Sequence, residues 1–155
     1  MEKARFNILK TDINRQIAII EQVYEKIQQR SENYDANVER MESLAYQLHN
    51  LYCAFEDLME LVADEFENRI EERKNWHIRR LLRRMTEEIP EIRPALFSLE
   101  TLPLLDELRG FRHWFRHAYS YEIDPEKLGI VLGKAIELRI KYKSDVESFL
   151  RKLAE

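Results

Sequence analysis

Only 3 glycines and 4 prolines punctuate the 155 residues, too few for the many tight turns that a sheet protein needs. A single cysteine, Cys53, excludes an internal disulfide. No run of about 18 consecutive apolar residues is present, and Met1 to Lys10 carries no hydrophobic signal segment. The sequence therefore predicts no membrane insertion and a cytoplasmic location. Charge of one sign is not in large excess either: 25 lysines and arginines stand against 29 aspartates and glutamates, for a formal charge of -4. That balance gives no whole-molecule attraction for a polyanion and confines any nucleic-acid contact to a local patch.

What is present favours helices. Hydrophobic residues make up 45% of the chain and charged residues 35%, enough to build one core and to cover it. The commonest types, Leu, Glu, Arg, Lys and Ile, mostly prefer helix. No linker, repeat or low-complexity tract divides the chain, so residues 1–155 read as one all-α domain. Cys53, inside the run Leu51, Tyr52, Cys53, Ala54, Phe55, reads as a small buried hydrophobe.

Apolar spacing outlines five antiparallel helices. After Thr11 and Asp12, the stripe Ile13, Ile17, Ile20, Tyr24 and Ile27 predicts a first helix ending near Ser31. A longer stripe from Val38 through Leu48, Tyr52, Phe55 and Val62 to Phe66 and Ile70 predicts a second helix of roughly 30 residues, the spine of a bundle or a dimer. Asn75 is a candidate cap for a third, carrying Trp76, Leu81, Leu82 and Met85, and Ile89 to Ser98 should be irregular around Pro90 and Pro94. The fourth is expected from near Thr101 to Tyr121. Asp124 followed by Pro125 is a strong start signal for the fifth, which runs to Leu153.

The fourth helix carries the residues with chemistry. At about 100° per residue, Leu104, Leu108, Phe111, Trp114, Phe115 and Ala118 fall on one arc and Arg109, Arg112, His113, Arg116, His117 and Ser120 on the other. With no acid on that second arc, a cationic groove is expected, with Tyr119 at the boundary. The arc reads either as a solvated basic face or as a phosphate-binding, ribonucleolytic one. His113 and His117, four apart, offer only two metal ligands, and His49 or His77 would have to join them, so no metal site and no cofactor is predicted.

The segment Arg112, His113, Trp114, Phe115, Arg116, His117, Ala118, Tyr119 resembles the signature of the HepT-like toxins of the HEPN group: an arginine, four residues, a histidine, one residue, a tyrosine. The exit through Asp124 and Pro125, and the phrase from Tyr46 to Tyr52 in the second helix, are similar to that family as well. Where HepT sequences usually have asparagine after the motif arginine, this chain has His113. The resemblance implies a five-helix HEPN-like bundle and a metal-independent endoribonuclease acting on single-stranded RNA, either transfer RNA or messenger RNA. It further implies the toxin of a type II toxin and antitoxin pair, whose cognate partner is a minimal nucleotidyltransferase able to transfer AMP to the motif tyrosine, here Tyr119. On this reading Arg112 and His117 are catalytic, with His113, Arg116 and Tyr119 in support. The alternative it leaves open is a weak or inactive HEPN protein that binds a nucleotidyltransferase or a nucleotide.

Arg112 and His117 lie about 140° apart around one helix, so their stems diverge and either their tips converge or a second copy supplies the missing group. A homodimer with facing motifs is expected. Beyond the motif, Arg109 and the second-helix residues His49, Tyr52 and Glu56 are candidate supports, with Glu56 placed to orient a histidine or pair with an arginine. Arg93 is expected either on the phosphate path or capping the third helix. Arg79, Arg80, Arg83 and Arg84, with Arg73 and Lys74 nearby, form a second basic run.

Overall fold

The computed structural model describes residues 1–67, 78–120 and 122–155, with the side chains of all of these except residues 78 and 79. The expectations for Ile70, Arg73, Lys74, Asn75, Trp76, His77 and Tyr121, and for the Arg79 side chain, lie outside the described residues. Within them the chain is all-α, with five helices: α1 Lys3–Ser31, α2 Val38–Phe66, α3 Ile78–Met85, α4 Leu102–Arg116 and α5 Pro125–Ala154. No described helix is long and apolar enough to cross a membrane.

α1 starts at Lys3, well before the expected start after Asp12. The reason lies in its stripe, because Leu9 is buried one turn ahead of Ile13 and continues the same face toward the N-terminus. The stripe then runs through Ile20, Tyr24 and Ile27 as expected. Asn33 turns the chain in the left-handed region at φ 54, which its short polar side chain tolerates. Asn37 then caps α2 by accepting from the Arg40 amide at 2.8 Å.

α2 is the spine. Leu44, Leu48, Leu51, Tyr52, Phe55, Leu58 and Val62 are fully buried, and the helix packs against α1, α3, α4 and α5. The segment from Ile89 to Ser98 is irregular, as expected, and sends Leu96 and Phe97 into the core. Arg93 is buried within it and caps α3: Nη2 donates to the Arg84 carbonyl at 3.1 Å and to Glu67 Oε2 at 3.1 Å, and Nη1 donates to the Glu87 carbonyl at 3.0 Å. Of its two expected roles, capping is the one observed. Asp124 caps α5 by accepting from the Glu126 amide at 2.9 Å, with Pro125 at the first helical position.

Two polar networks fasten α5 to the rest. Asp145 Oδ2 accepts from the Ser98 amide at 3.0 Å and from the Thr101 hydroxyl at 2.5 Å, which fixes the entry to α4. Glu21 on α1 accepts from Tyr142 at 2.6 Å and from Arg139 at 3.2 Å, and pairs with Lys143. Burial works against the Glu21 charge, but these donors outweigh it and hold its pKa below the usual carboxylate value. Tyr142 is fully buried and its hydroxyl spends its proton on Glu21. Tyr142→Phe is expected to lower stability by about 1.5 kcal/mol, the worth of one hydrogen bond to a charged group. Urea unfolding with far-UV circular dichroism checks it, and the thermal midpoint should fall by about 3 to 6 °C.

Candidate active site

α4 is pinned to α2 through the arginine of its last turns. The Arg112 side chain is 2% exposed, although arginine is rarely buried without a partner. Its partner is Glu56, which accepts from Nη1 at 2.9 Å and from Nη2 at 3.0 Å in a two-pronged pair. The guanidinium carbon lies 4.6 Å from the centroid of the Tyr52 ring, a cation–π contact, and Nη1 also reaches Cys53 Sγ at 3.9 Å. Burial opposes the Arg112 charge. Hydrogen bonding to Glu56 and its negative charge more than offset that, and the guanidinium stays ionised.

His49 completes this side of the contact. Its ring packs 5.3 Å from that of Phe115, its Nε2 lies 3.8 Å from Cys53 Sγ, and its buried Nδ1 has no hydrogen-bond partner. The Tyr52 hydroxyl is likewise buried without a partner, and burial, then the Glu56 charge, pushes its pKa up. The expected meeting of His49, Tyr52 and Glu56 with the motif helix is thus observed. Cys53, expected as a buried small hydrophobe, is half-buried and touches both Arg112 and His49.

Beyond Arg112 the helix turns outward and stops. α4 ends at Arg116, short of the expected Tyr121, because after Phe115 its apolar face offers only the small Ala118: the His117 amide bonds the Trp114 carbonyl at 3.0 Å, tightening the chain into a 3-10 turn over Ala118–Ser120. His113, Arg116 and His117 are exposed together on this end, and the rings of the two histidines lie 5.1 Å apart. A helix C-terminus favours a cation such as Arg116. Tyr119 is 90% exposed, not at a core boundary as the helical wheel suggested. Among the described residues no three His, Cys, Asp or Glu side chains gather as metal ligands.

The expected groove with three unneutralised arginines does not form. Arg109 is paired with Asp106, one turn back on the same helix, at 2.6 Å and 2.9 Å, and Arg112 with Glu56. Asp106 sits three residues from Arg109, close enough on the surface to reach it. Glu56 comes from another helix, so no wheel drawn for α4 alone includes it. The free cation of the motif is Arg116, which pairs with no carboxylate among the described residues. On its other side α4 forms with α5 a cleft of about 470 Å³ lined by Gly110, Phe111, Trp114, Ile123, Lys127 and Val131. Trp114, placed on the core arc by its spacing, is only half-buried there. In the second basic run, Arg84 is engaged by Glu67 at 2.7 Å, while Arg80 and Arg83 are exposed.

Burial first, then the charges of Arg116 and Arg112, lower the His49 pKa below its ordinary 6.5. A histidine whose folded pKa is depressed binds a proton more readily when unfolded, so its contribution to stability is intact above 6.5 and is lost as pH falls below that value. The urea midpoint is therefore expected to drop between pH 7.5 and 5.5, with a shallower drop in His49→Gln.

No curated protein and no solved structure matches the chain. A family model described as "HepT-like protein" matches residues 43–153, from the first turns of α2 through the Arg112 to Tyr119 motif almost to the end of α5. That stretch is well over half of the chain and contains both halves of the α2–α4 contact, and the protein belongs to the HepT-like family of the HEPN group.

Proposed function

We propose that this chain is a metal-independent endoribonuclease acting on single-stranded RNA, the toxin of a type II pair whose antitoxin is a minimal nucleotidyltransferase. Membership of the HepT-like family supports a HEPN-type nuclease in general terms. The observation that carries the reading to particular residues is the joint exposure of His113, Arg116 and His117 at the end of a helix whose preceding turn is locked in place.

His117 is the proton carrier, because an imidazole exchanges protons near neutral pH. It takes the proton of a ribose 2'-hydroxyl. The freed 2'-oxygen attacks the adjacent phosphorus, the bond from phosphorus to the 5'-oxygen breaks, and that oxygen leaves with a proton from a second imidazole or water. The products are a cyclic phosphate and a 5'-hydroxyl. Arg112 acts from within the protein, holding α4 in register through its pair with Glu56, while the positive charge offered to the reacting phosphate comes from Arg116.

Two copies of α4 facing one another in a homodimer would double these groups, and His113 or His117 of the second copy can serve as the acid. AMP joined to the Tyr119 hydroxyl would set bulk and a negative phosphate beside Arg116 and block RNA electrostatically. A second reading, a weak or inactive copy that binds a nucleotidyltransferase or a nucleotide, is favoured by one observation: Glu56 already occupies the fork of Arg112.

Purified protein incubated with total transfer RNA in EDTA is expected to cleave it, leaving cyclic phosphate ends, with the rate falling about 100-fold or more in His117→Ala. Absence of cleavage by dimeric protein free of AMP by mass spectrometry, on transfer RNA and on single-stranded messenger RNA, contradicts the nuclease reading and leaves the binding one.

A further inference from the structure

Arg112 is the motif's cation, yet both prongs of its fork are spent on Glu56 and its side chain is 2% exposed. A phosphate arriving from solvent would have to displace a partly buried carboxylate to reach it. Arg116 stands on the same side of α4, one turn further on, exposed and without a carboxylate partner among the described residues. Three residues beyond Arg116, the Tyr119 ring stands 90% exposed, far more than packing of so large an aromatic would leave. Single-strand binders pair these two elements: a cation for the backbone and an open ring for the bases.

We propose that the end of α4 and the 3-10 turn after it form a single-strand platform, on which Arg116 grips one RNA phosphate while the Tyr119 ring stacks on a neighbouring base. This deepens the ribonuclease reading and rests on it. The platform lays the ribose next to His117, which lies between the two anchors in sequence, and to His113, whose ring is 5.1 Å from that of His117. It also gives Tyr119 a use that needs no reaction at its hydroxyl, since the ring does the stacking.

Binding of a fluorescein-labelled 2'-O-methyl oligonucleotide of about ten nucleotides, followed by fluorescence anisotropy over a salt series, tests it. The 2'-O-methyl groups remove the attacking hydroxyl, so the readout is independent of cleavage. Arg116→Gln is expected to weaken binding about tenfold and to reduce the slope of log affinity against log salt by about 0.7, the loss of one single-strand phosphate contact. Arg116→Lys keeps the slope. Tyr119→Ala is expected to weaken binding at least about fivefold, and Tyr119→Phe, which keeps the ring, binds like the wild type. Arg151→Gln, an exposed arginine near the end of α5, serves as the charge control and changes little. Unchanged affinity and slope in Arg116→Gln, equal losses in Tyr119→Phe and Tyr119→Ala, or no binding by the wild type each overturn the platform. A protein that binds with the expected dependences and yet does not cleave unmodified RNA supports the platform and refutes only the ribonuclease.

Discussion

An arginine on α4 is taken out of water against a partly buried glutamate on α2, and the geometry of the motif depends on that pair. A guanidinium that is 2% exposed is tolerable only because Glu56 takes both of its prongs and the Tyr52 ring covers one face. Such a pair adds little or no net stability compared with an apolar replacement, but breaking it by removing one partner is costly. What it supplies is register. The two hydrogen bonds are satisfied in one rotational setting of α4 about its axis, and that setting buries Leu104, Leu108 and Phe111 while turning His113, Arg116 and His117 outward.

The contrast between the two turns of the motif follows from this. Before and at Arg112 the helix is held by core packing, by the Ser98, Thr101 and Asp145 network at its start, and by Glu56. After Phe115 the next turn offers only the small Ala118 to bury, the helix tightens into a 3-10 turn, and Arg116, His117 and Tyr119 face water. A rigid base carrying an open end suits a site that must receive a long flexible polymer. AMP on Tyr119 would act on that open end, leaving the buried pair untouched.

Much of this architecture was legible in the residues themselves. The 3.6-residue stripes of α2, as far as Phe66, and of α5, the Asp124 and Pro125 start, and the irregular stretch around Pro90 and Pro94 are local features, and each is found where its pattern predicts. The misplaced ends have local causes too: Leu9 extends the α1 stripe backward, and α4 stops after its last large apolar residue, Phe115. The charge state of the motif was not legible in the same way. Arg109 is balanced by Asp106 on its own helix, an i, i+3 pair that the two-arc division missed, whereas Arg112 is balanced across the core by a residue 56 positions away. Glu56 was within view as a candidate partner, but which cation it holds is decided by helix packing, which periodicity does not encode.

The most direct test of the central claim is a double-mutant cycle on the pair, with Arg112→Met, Glu56→Met and the double variant compared with wild type by urea unfolding at pH 7. A buried, two-pronged pair predicts that each single variant is less stable than the double variant, with a coupling energy of about 1.5 to 3 kcal/mol. Single losses that simply add, to within about 0.5 kcal/mol, would show that Arg112 and Glu56 act independently and that the register of α4 is set by its apolar face alone.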